Sequence, residues 1–235
     1  MIDLGLLATM AIVVILPTTF VRPWPESAAE AGVLDVAGGA LLLGILIGRL
    51  TTVALDDPGA LTNLRDLLII RSGVEFWPGV VAGIAWIAFH SKKEGVSPAR
   101  RLAAISATSL VAWACFEFTC LLRDGCPGPR SSLGLRPDGL VERMFPVGLL
   151  VAAAAVSAAF VIRRLHRRGM PDAQVVVLSM FAIAIIRSVA SIWLPRIGQG
   201  PTRQHRTSIF VAAVTAVAFV GLRRQAKTSE ATATA

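Results

Sequence analysis

The sequence predicts an all-α integral membrane protein, a bundle of about seven transmembrane helices with the N-terminus outside and the C-terminus in the cytoplasm. Three observations carry this prediction. Of the 235 residues, 54% are hydrophobic and only 16% are charged, whereas soluble domains carry about 25% charged residues. The mean hydropathy is +0.67. Several apolar stretches also approach the roughly 20 residues that cross a bilayer as a helix.

Seven apolar stretches are predicted to span the membrane and to form one domain over residues 1–225. Their approximate bounds are 4–21, 34–55, 74–89, 102–122, 144–162, 173–194 and 209–222. Several are rich in Gly and Ala, which let membrane helices approach closely. The first residues carry no cationic stretch, so the opening apolar run is expected to remain as a helix. Residues 226–235 are predicted to be a disordered cytoplasmic tail.

Basic residues between the stretches predict the orientation. Cytoplasmic loops of membrane proteins carry an excess of Lys and Arg. An outside N-terminus places three basic clusters in the cytoplasm, namely Lys92, Lys93, Arg100 and Arg101, then Arg163, Arg164, Arg167 and Arg168, then Arg223, Arg224 and Lys227. These loops, with their contacts to anionic lipid, explain the net charge of +8 better than a nucleic-acid partner does. The prediction is a multi-pass protein of the plasma membrane.

The segments predicted to face outward contain arginine and no lysine. An arginine binds phosphate or carboxylate with a planar, bidentate fork, whereas a lysine is a point charge. Such segments suit a phospholipid headgroup at the outer leaflet. Pairing with neighbouring Asp and Glu side chains is the alternative, and composition does not decide between the two. The arginines are Arg65, Arg71, Arg123, Arg130, Arg136, Arg143, Arg196, Arg203 and Arg206.

Three ionisable residues, Arg49, Glu117 and Arg187, fall inside the second, fourth and sixth stretches. Ionisable residues within a membrane face the bundle interior or a wet cavity. All three are predicted in the outward halves of their spans, which indicates one polar cavity open to the outside. There Arg187 would bind an anionic headgroup or a developing negative charge; an ion pair between Glu117 and Arg187 is the alternative. Asp35 and Glu75 lie at predicted span ends, where snorkelling toward the interface is expected.

Among the three histidines, only His205 falls in an outward segment. His205 and Glu117 are therefore the candidate bases for catalysis, and an ordinary loop residue is the alternative for His205. Cys120 and Cys126 lie near the predicted outer surface, in a compartment that permits disulfides, and whether they bond stays open. No metal site is predicted, because two cysteines and scattered histidines lack the usual ligand pattern.

Five short motifs, in this order and topology, resemble the prolipoprotein diacylglyceryl transferase family over roughly residues 39–222. The first two are Gly48-Arg49-Leu50 and the run from Arg71 to Gly79. The others are Cys120 with Gly125-Cys126-Pro127-Gly128, Glu142-Arg143-Met144-Phe145-Pro146, and Ile186-Arg187 followed by Gln204.

The resemblance implies an enzyme that transfers a diacylglyceryl group from phosphatidylglycerol to the lipobox cysteine thiol of a prolipoprotein. Family members act at the outer face of the bacterial plasma membrane without a metal or other cofactor. Arg187 corresponds to the family's essential sixth-span arginine, and Gly79, Gly83 and Gly125 correspond to motif glycines. The expected partners are the phospholipid and a prolipoprotein signal peptide. Lipid-binding residues would be these three glycines with Arg49, Arg143 and Arg206.

Some family positions differ in this chain. The family's third-span histidine falls at Trp77, and its fourth-span arginine falls at Glu117 when Cys120 is aligned. The glutamate that follows the sixth-span arginine by one turn is Ser191, and the chain has no tyrosine. Three functions therefore stay open. They are an active transferase-like enzyme, an inactive homologue that binds phospholipid or a membrane partner, and a small membrane transporter.

Overall fold

The computed structural model describes residues 8–9, 11–13, 15–17, 33–59, 74–122, 128–136, 141–193 and 202–233. These are mostly helical, which confirms the predicted helical class in its coarse form. A 3-10 turn, Thr119–Leu122, follows α3, and residues 8–9, 11–13 and 15–17 are helical as well. The main elements are α1 (Val33–Asp56), α2 (Phe76–Lys93), α3 (Pro98–Phe118), β1 (Arg130–Leu135), α4 (Val147–Arg167), α5 (Asp172–Trp193) and α6 (Arg203–Ala233).

Among the residues that the structure describes, five helical stretches are long and apolar enough to cross a membrane. The third predicted span corresponds to α2, which is not among them. This helix has only 18 residues, and its last turn contains His90, Lys92 and Lys93, so its full length is not apolar enough. The first predicted span lies partly outside the described residues. The count of seven and the orientation therefore stay predictions. The five stretches are Val36–Asp56, Pro98–Leu122, Val147–Arg167, Asp172–Trp193 and Arg203–Ala226.

Large apolar side chains lie on the outer surface of these helices. Leu42 of α1 and Phe210 and Val217 of α6 are 72%, 69% and 74% exposed. Soluble monomers rarely present wide apolar surfaces to water, whereas a helix in lipid is apolar on its outer face as well. The length and apolar composition of these helices, together with their exposed apolar side chains, indicate a membrane-embedded protein.

The chain divides into two compact units, a larger one of Met1–Pro25 with Ala103–Ala235 and a smaller one of Glu26–Leu102. In the larger unit α5 packs against both α4 and α6. Its apolar core includes Leu110 of α3, Ala155 of α4 and Val175 of α5, and the N-terminal helical residues also pack against it. Small side chains in this core, such as Ala107 and Ala155, allow the helices to pack closely.

The smaller unit is built around close contact between α1 and α2. Its glycines recur every four residues, as Gly44 and Gly48 on α1 and as Gly79 and Gly83 on α2, so each pair lies on one helix face. A Cβ atom added at Gly79 would lie 2.6 Å from the carbonyl oxygen of Gly44. One added at Gly44 would lie 2.9 Å from the carbonyl oxygen of Gly79. The two backbones therefore meet at this pair of glycines.

Replacing Gly79 by Ala is expected to destabilise the protein by about 1–3 kcal/mol, the usual range for overpacking a close contact. The added methyl group meets backbone, which cannot rotate away as a flexible side chain can. Gly38→Ala is the matched control, because nothing lies within 4 Å of its added Cβ atom. Thermal unfolding in detergent measures both variants. Equal melting temperatures for the two would show that the glycine contact does not stabilise the fold.

The turn between α2 and α3 is held by an ion pair at the predicted cytoplasmic side. Arg101 is only 4% exposed and donates a hydrogen bond to the carboxylate of Glu94. This hydrogen bond lowers the pKa of Glu94 below its usual value. Arg101, predicted as one of a set of cytoplasmic loop cations, is therefore a buried residue that holds the turn together.

Helix α6 extends beyond its predicted end. The sequence predicts a span that ends near residue 222 and a disordered tail from residue 226, whereas the helix continues to Ala233. Alanine, lysine and glutamate in residues 226–233 are good helix formers, and no proline or glycine interrupts them. The polarity that predicts a tail does not exclude a helix that projects beyond the apolar segment.

Candidate functional site

The end of α5 and the start of α6 bring two of the three predicted catalytic residues together. Arg187 lies on α5, and its Nη2 donates a hydrogen bond to the Oε1 atom of Gln204, 3.2 Å away, in the first turn of α6. His205 is the next residue of that turn. Because α5 and α6 pack against each other, a guanidinium and an imidazole lie at one end of one helix pair.

The imidazole of His205 is held by the last turn of α5. Its Nδ1 lies 2.6 Å from the hydroxyl of Ser191 and 3.1 Å from the carbonyl oxygen of Ser188. The Ser191 hydroxyl itself donates to the Ser188 carbonyl oxygen at 2.7 Å. A carbonyl oxygen only accepts hydrogen bonds, so all three contacts are satisfied when Nδ1 carries the proton. In the neutral ring, Nε2 then carries the lone pair that accepts a proton.

The start of α6 fixes the position of this histidine. Thr202 precedes the helix, and its Oγ1 accepts a hydrogen bond from the backbone N–H of His205 at 3.2 Å. Its carbonyl oxygen accepts the N–H of Arg206 at 3.1 Å. Thr202 is therefore the N-cap residue of α6, because its side chain accepts a hydrogen bond from the backbone N–H three residues later. The sequence therefore begins α6 where the imidazole faces α5.

Ser191 is a site residue to which sequence reasoning assigned no role. It is buried, with 7% of its surface exposed, and it follows Arg187 by one helical turn. The sequence does contain a signal, since Ser188 and Ser191 are polar residues three apart near the end of an apolar helix that carries Arg187. What the sequence lacks is the pairing partner, because His205 lies 14 positions further on.

Glu117 is positioned on α3 by its own helix. The Nε1 atom of Trp113, one turn earlier, donates a hydrogen bond to Glu117 Oε1 at 2.9 Å. Trp113 packs against a small buried cluster that includes Ala190 of α5, and Ile186 of the same helix packs against that cluster too. The indole thus connects Glu117 to the helix that carries the arginine. Glu117 and Arg187 have different hydrogen-bond partners, Trp113 and Gln204.

A folded hairpin joins α3 to α4, where the sequence predicts a loop. The backbone N–H of Ser131 donates to the carbonyl oxygen of Arg143 at 3.0 Å, and that of Phe145 donates to Pro129 at 2.8 Å. The side chains of Arg130 and Glu142 form an ion pair at 2.5 Å. Acidic pairing, the alternative for the outward arginines, therefore holds for Arg130. Arg143, a predicted lipid-binding residue, is exposed.

Arg49 belongs to the smaller unit and is buried, with 6% of its surface exposed. Glu75 is buried there too, and its backbone N–H donates to the Gly48 carbonyl oxygen at 3.1 Å and to Thr52 Oγ1 at 2.9 Å. The prediction that Glu75 snorkels is therefore wrong, because the close contact of Gly48 with residue 75 draws it into the α1–α2 interface. Trp77 is also buried.

The remaining predicted lipid-binding residues are more widely placed. Gly79 and Gly83 face α1, where an added Cβ atom would meet the backbone of Gly44 or Ala40. Arg206 is exposed near the start of α6. Gly125 lies outside the described residues. The lipid-binding roles of these residues stay predictions.

Cysteine pairing differs along α3. Cys115 is free and buried in the helix, whereas Cys120, in the turn that follows, is disulfide-bonded. Cys126, whose bonding to Cys120 the sequence leaves open, lies outside the described residues. Within the part of the chain that the structure describes, no group of three His, Cys, Asp or Glu side chains is arranged to hold a metal ion.

No model of a known protein family matches the chain, and no curated protein sequence matches it.

Proposed function

We propose that the chain is a phosphatidylglycerol–prolipoprotein diacylglyceryl transferase-like enzyme of the bacterial plasma membrane. In this proposal it has seven spans with the N-terminus outside, and its site faces the outer leaflet. The observation that carries the proposal is the cluster at the α5–α6 end, where Arg187 bonds to Gln204 and His205 is held by Ser188 and Ser191. A cation for a phosphate and a base for a thiol are thus both held where the end of α5 meets the start of α6.

The transfer needs one proton acceptor and one anion-binding group. The thiol of the acceptor cysteine gives its proton to Nε2 of His205, and the thiolate attacks the glyceryl carbon that bears the phosphate. A C–S bond forms as the C–O bond to phosphate breaks, and glycerol phosphate leaves. The negative charge of the leaving phosphate is stabilised by the Arg187 guanidinium, which presents two N–H groups in a planar fork. Atoms and charges balance without a further reactant.

The cluster also supplies an imidazole, which this chain lacks at the position where the family has its third-span histidine. The family's third-span histidine falls at Trp77, and an indole is no base. His205 supplies an imidazole from a different helix, with its accepting nitrogen defined by Ser188 and Ser191. Glu117 is the alternative proton acceptor, and its Oε1 atom is positioned by the hydrogen bond that it accepts from Trp113.

The disulfide at Cys120 supports the proposed orientation. Disulfides persist in oxidising compartments, such as the bacterial periplasm, and are rare in the cytosol. Cys120 follows α3 directly, so an oxidised cysteine there favours an outside position for the α3–α4 connection. With that connection outside, the basic residues of the α4–α5 turn lie in the cytoplasm, in agreement with the positive-inside rule.

The test is rescue of lipoprotein modification in bacterial cells depleted of their own transferase. We expect expression of this chain to restore diacylglyceryl attachment to a reporter lipoprotein, measured by mass spectrometry of its N-terminal peptide. Binding of phosphatidylglycerol without rescue would instead indicate an inactive lipid-binding homologue. Solute flux in vesicles that contain the purified protein would indicate a transporter.

A further inference from the structure

The segment that joins α3 to α4 exposes apolar side chains although it is folded. Its described part, residues 128–136 and 141–146, is called the connecting hairpin here. Leu133 and Val141 are each 86% exposed. Backbone hydrogen bonds between residues 129–131 and 143–145 hold the segment together, and a Cβ atom at Gly134 would lie 2.2 Å from the Met144 carbonyl oxygen. The exposed apolar residues therefore belong to a closely packed hairpin.

Chain connectivity places this hairpin beside a membrane. It follows the apolar stretch Pro98–Leu122 and precedes Val147–Arg167, both of which are long and apolar enough to span. A segment between two consecutive spans lies at the membrane surface. The helix ends beside it also expose apolar side chains, namely Phe118, Leu121, Leu122 and Leu150. In water such a row is unfavourable, whereas at an interface lipid covers it.

The charges of the hairpin fit phospholipid headgroups. Arg130, Arg136 and Arg143 are exposed, and Glu142 is the acidic residue among residues 128–136 and 141–146. The continuous sequence 128–146 also contains Asp138, so three arginines against two acidic residues give a net charge of +1. Guanidinium groups bind phosphate bidentately and anionic lipid attracts basic segments next to a span. The exposed apolar side chains of Leu133 and Val141 beside these arginines suit the membrane interface, where acyl chains meet phosphate groups.

We propose that the connecting hairpin docks on the bilayer in which the protein is embedded. Leu133 and Val141 insert among the upper acyl chains, and Arg136 and Arg143 contact anionic phospholipid headgroups. This inference requires the flanking helices to span the membrane and does not depend on the proposed transferase activity. The hairpin would anchor the end of α3 and the start of α4 against the lipid surface.

The experiment places an environment-sensitive fluorophore on Leu133→Cys in purified full-length protein, reconstituted into vesicles of phosphatidylglycerol and phosphatidylcholine. Cys115 is buried and Cys120 is disulfide-bonded, and the unsubstituted protein treated in the same way gives the background. We expect the emission to shift to shorter wavelength and to be quenched by lipids that carry a nitroxide near the headgroup. Arg168→Cys, in the exposed turn after α4, is the water-exposed control, and Phe160→Cys, exposed in mid-helix, is the deep control.

Each outcome decides the proposal. Quenching that weakens when phosphatidylglycerol is replaced by phosphatidylcholine, or when Arg136 and Arg143 are changed to Gln, supports docking on anionic lipid. Quenching by aqueous iodide to the level of the position-168 label overturns it. Shielding from iodide without quenching by lipid nitroxides also overturns it, because a protein surface then covers the hairpin. If the Leu133 variant fails to fold, Val141→Cys reports from an equally exposed position.

Discussion

Arg187→Ala is expected to lower the rate of diacylglyceryl transfer by about 100- to 1000-fold, which is the usual loss when a group that stabilises transition-state charge is removed. At the α5–α6 cluster, a hydrogen bond to Gln204 orients the guanidinium group of Arg187. Without it the leaving phosphate would carry its charge beside an apolar helix. Initial rates with purified enzyme, phosphatidylglycerol and a lipobox peptide measure the effect, and the same variant should fail to rescue depleted cells.

Two controls separate this role from a structural one. Arg167→Ala removes an exposed arginine from the last turn of α4 and should leave the rate unchanged. Arg187→Lys keeps the charge and loses the planar fork, so partial activity is expected. A folded Arg187→Ala protein that transfers at the unsubstituted rate would contradict the assigned role, and equal losses in the Ala and Lys variants would point to fork geometry rather than charge.

The spacing of residues in the sequence predicts the helices more reliably than it predicts their contacts. The apolar stretches predict α1 and α3–α6 because each is a long apolar run, and the Gly and Ala content of the stretches predicts close helix contacts. The partner across the gap is not encoded locally. Gly79 meets Gly44 through a backbone contact, and no spacing rule selects that pair.

The candidate site shows the same limit in its chemistry. Arg187 and His205 are each predicted from residue type and predicted side of the membrane, since an arginine inside a span and a lone outward histidine are conspicuous. Ser191 is not predicted, because a buried serine in a helix usually bonds to its own backbone, as it does here with Ser188. Its second contact, to His205, arises only when α6 folds against α5.

His205→Ala is expected to lower the transfer rate by about 100- to 10,000-fold, the range for loss of a general base. His166→Ala is the control, since His166 lies in the last turn of α4 and bonds to Asp172. Ser191→Ala should give a smaller loss, because Ser191 acts through the imidazole by accepting a hydrogen bond from its Nδ1–H group. Initial rates measured across the pH range test all three variants. The Ser191 variant should shift the pH at which the rate rises, whereas a purely structural defect would lower the rate by the same factor at every pH.

Nitrogen-15 NMR of histidine-labelled protein tests the physical basis of that second prediction without any activity. The two ring nitrogens have distinct chemical shifts, so the spectrum shows which one carries the proton. We expect the unsubstituted protein to place it on Nδ1 of His205, because the Ser188 carbonyl oxygen at 3.1 Å can only accept. Ser191→Ala removes one of the two acceptors and should raise the population with the proton on Nε2, which blocks the nitrogen that receives the thiol proton. A spectrum with the proton on Nε2 in the unsubstituted protein would contradict the assignment, because the lone pair would then lie on Nδ1, which contacts Ser188 and Ser191.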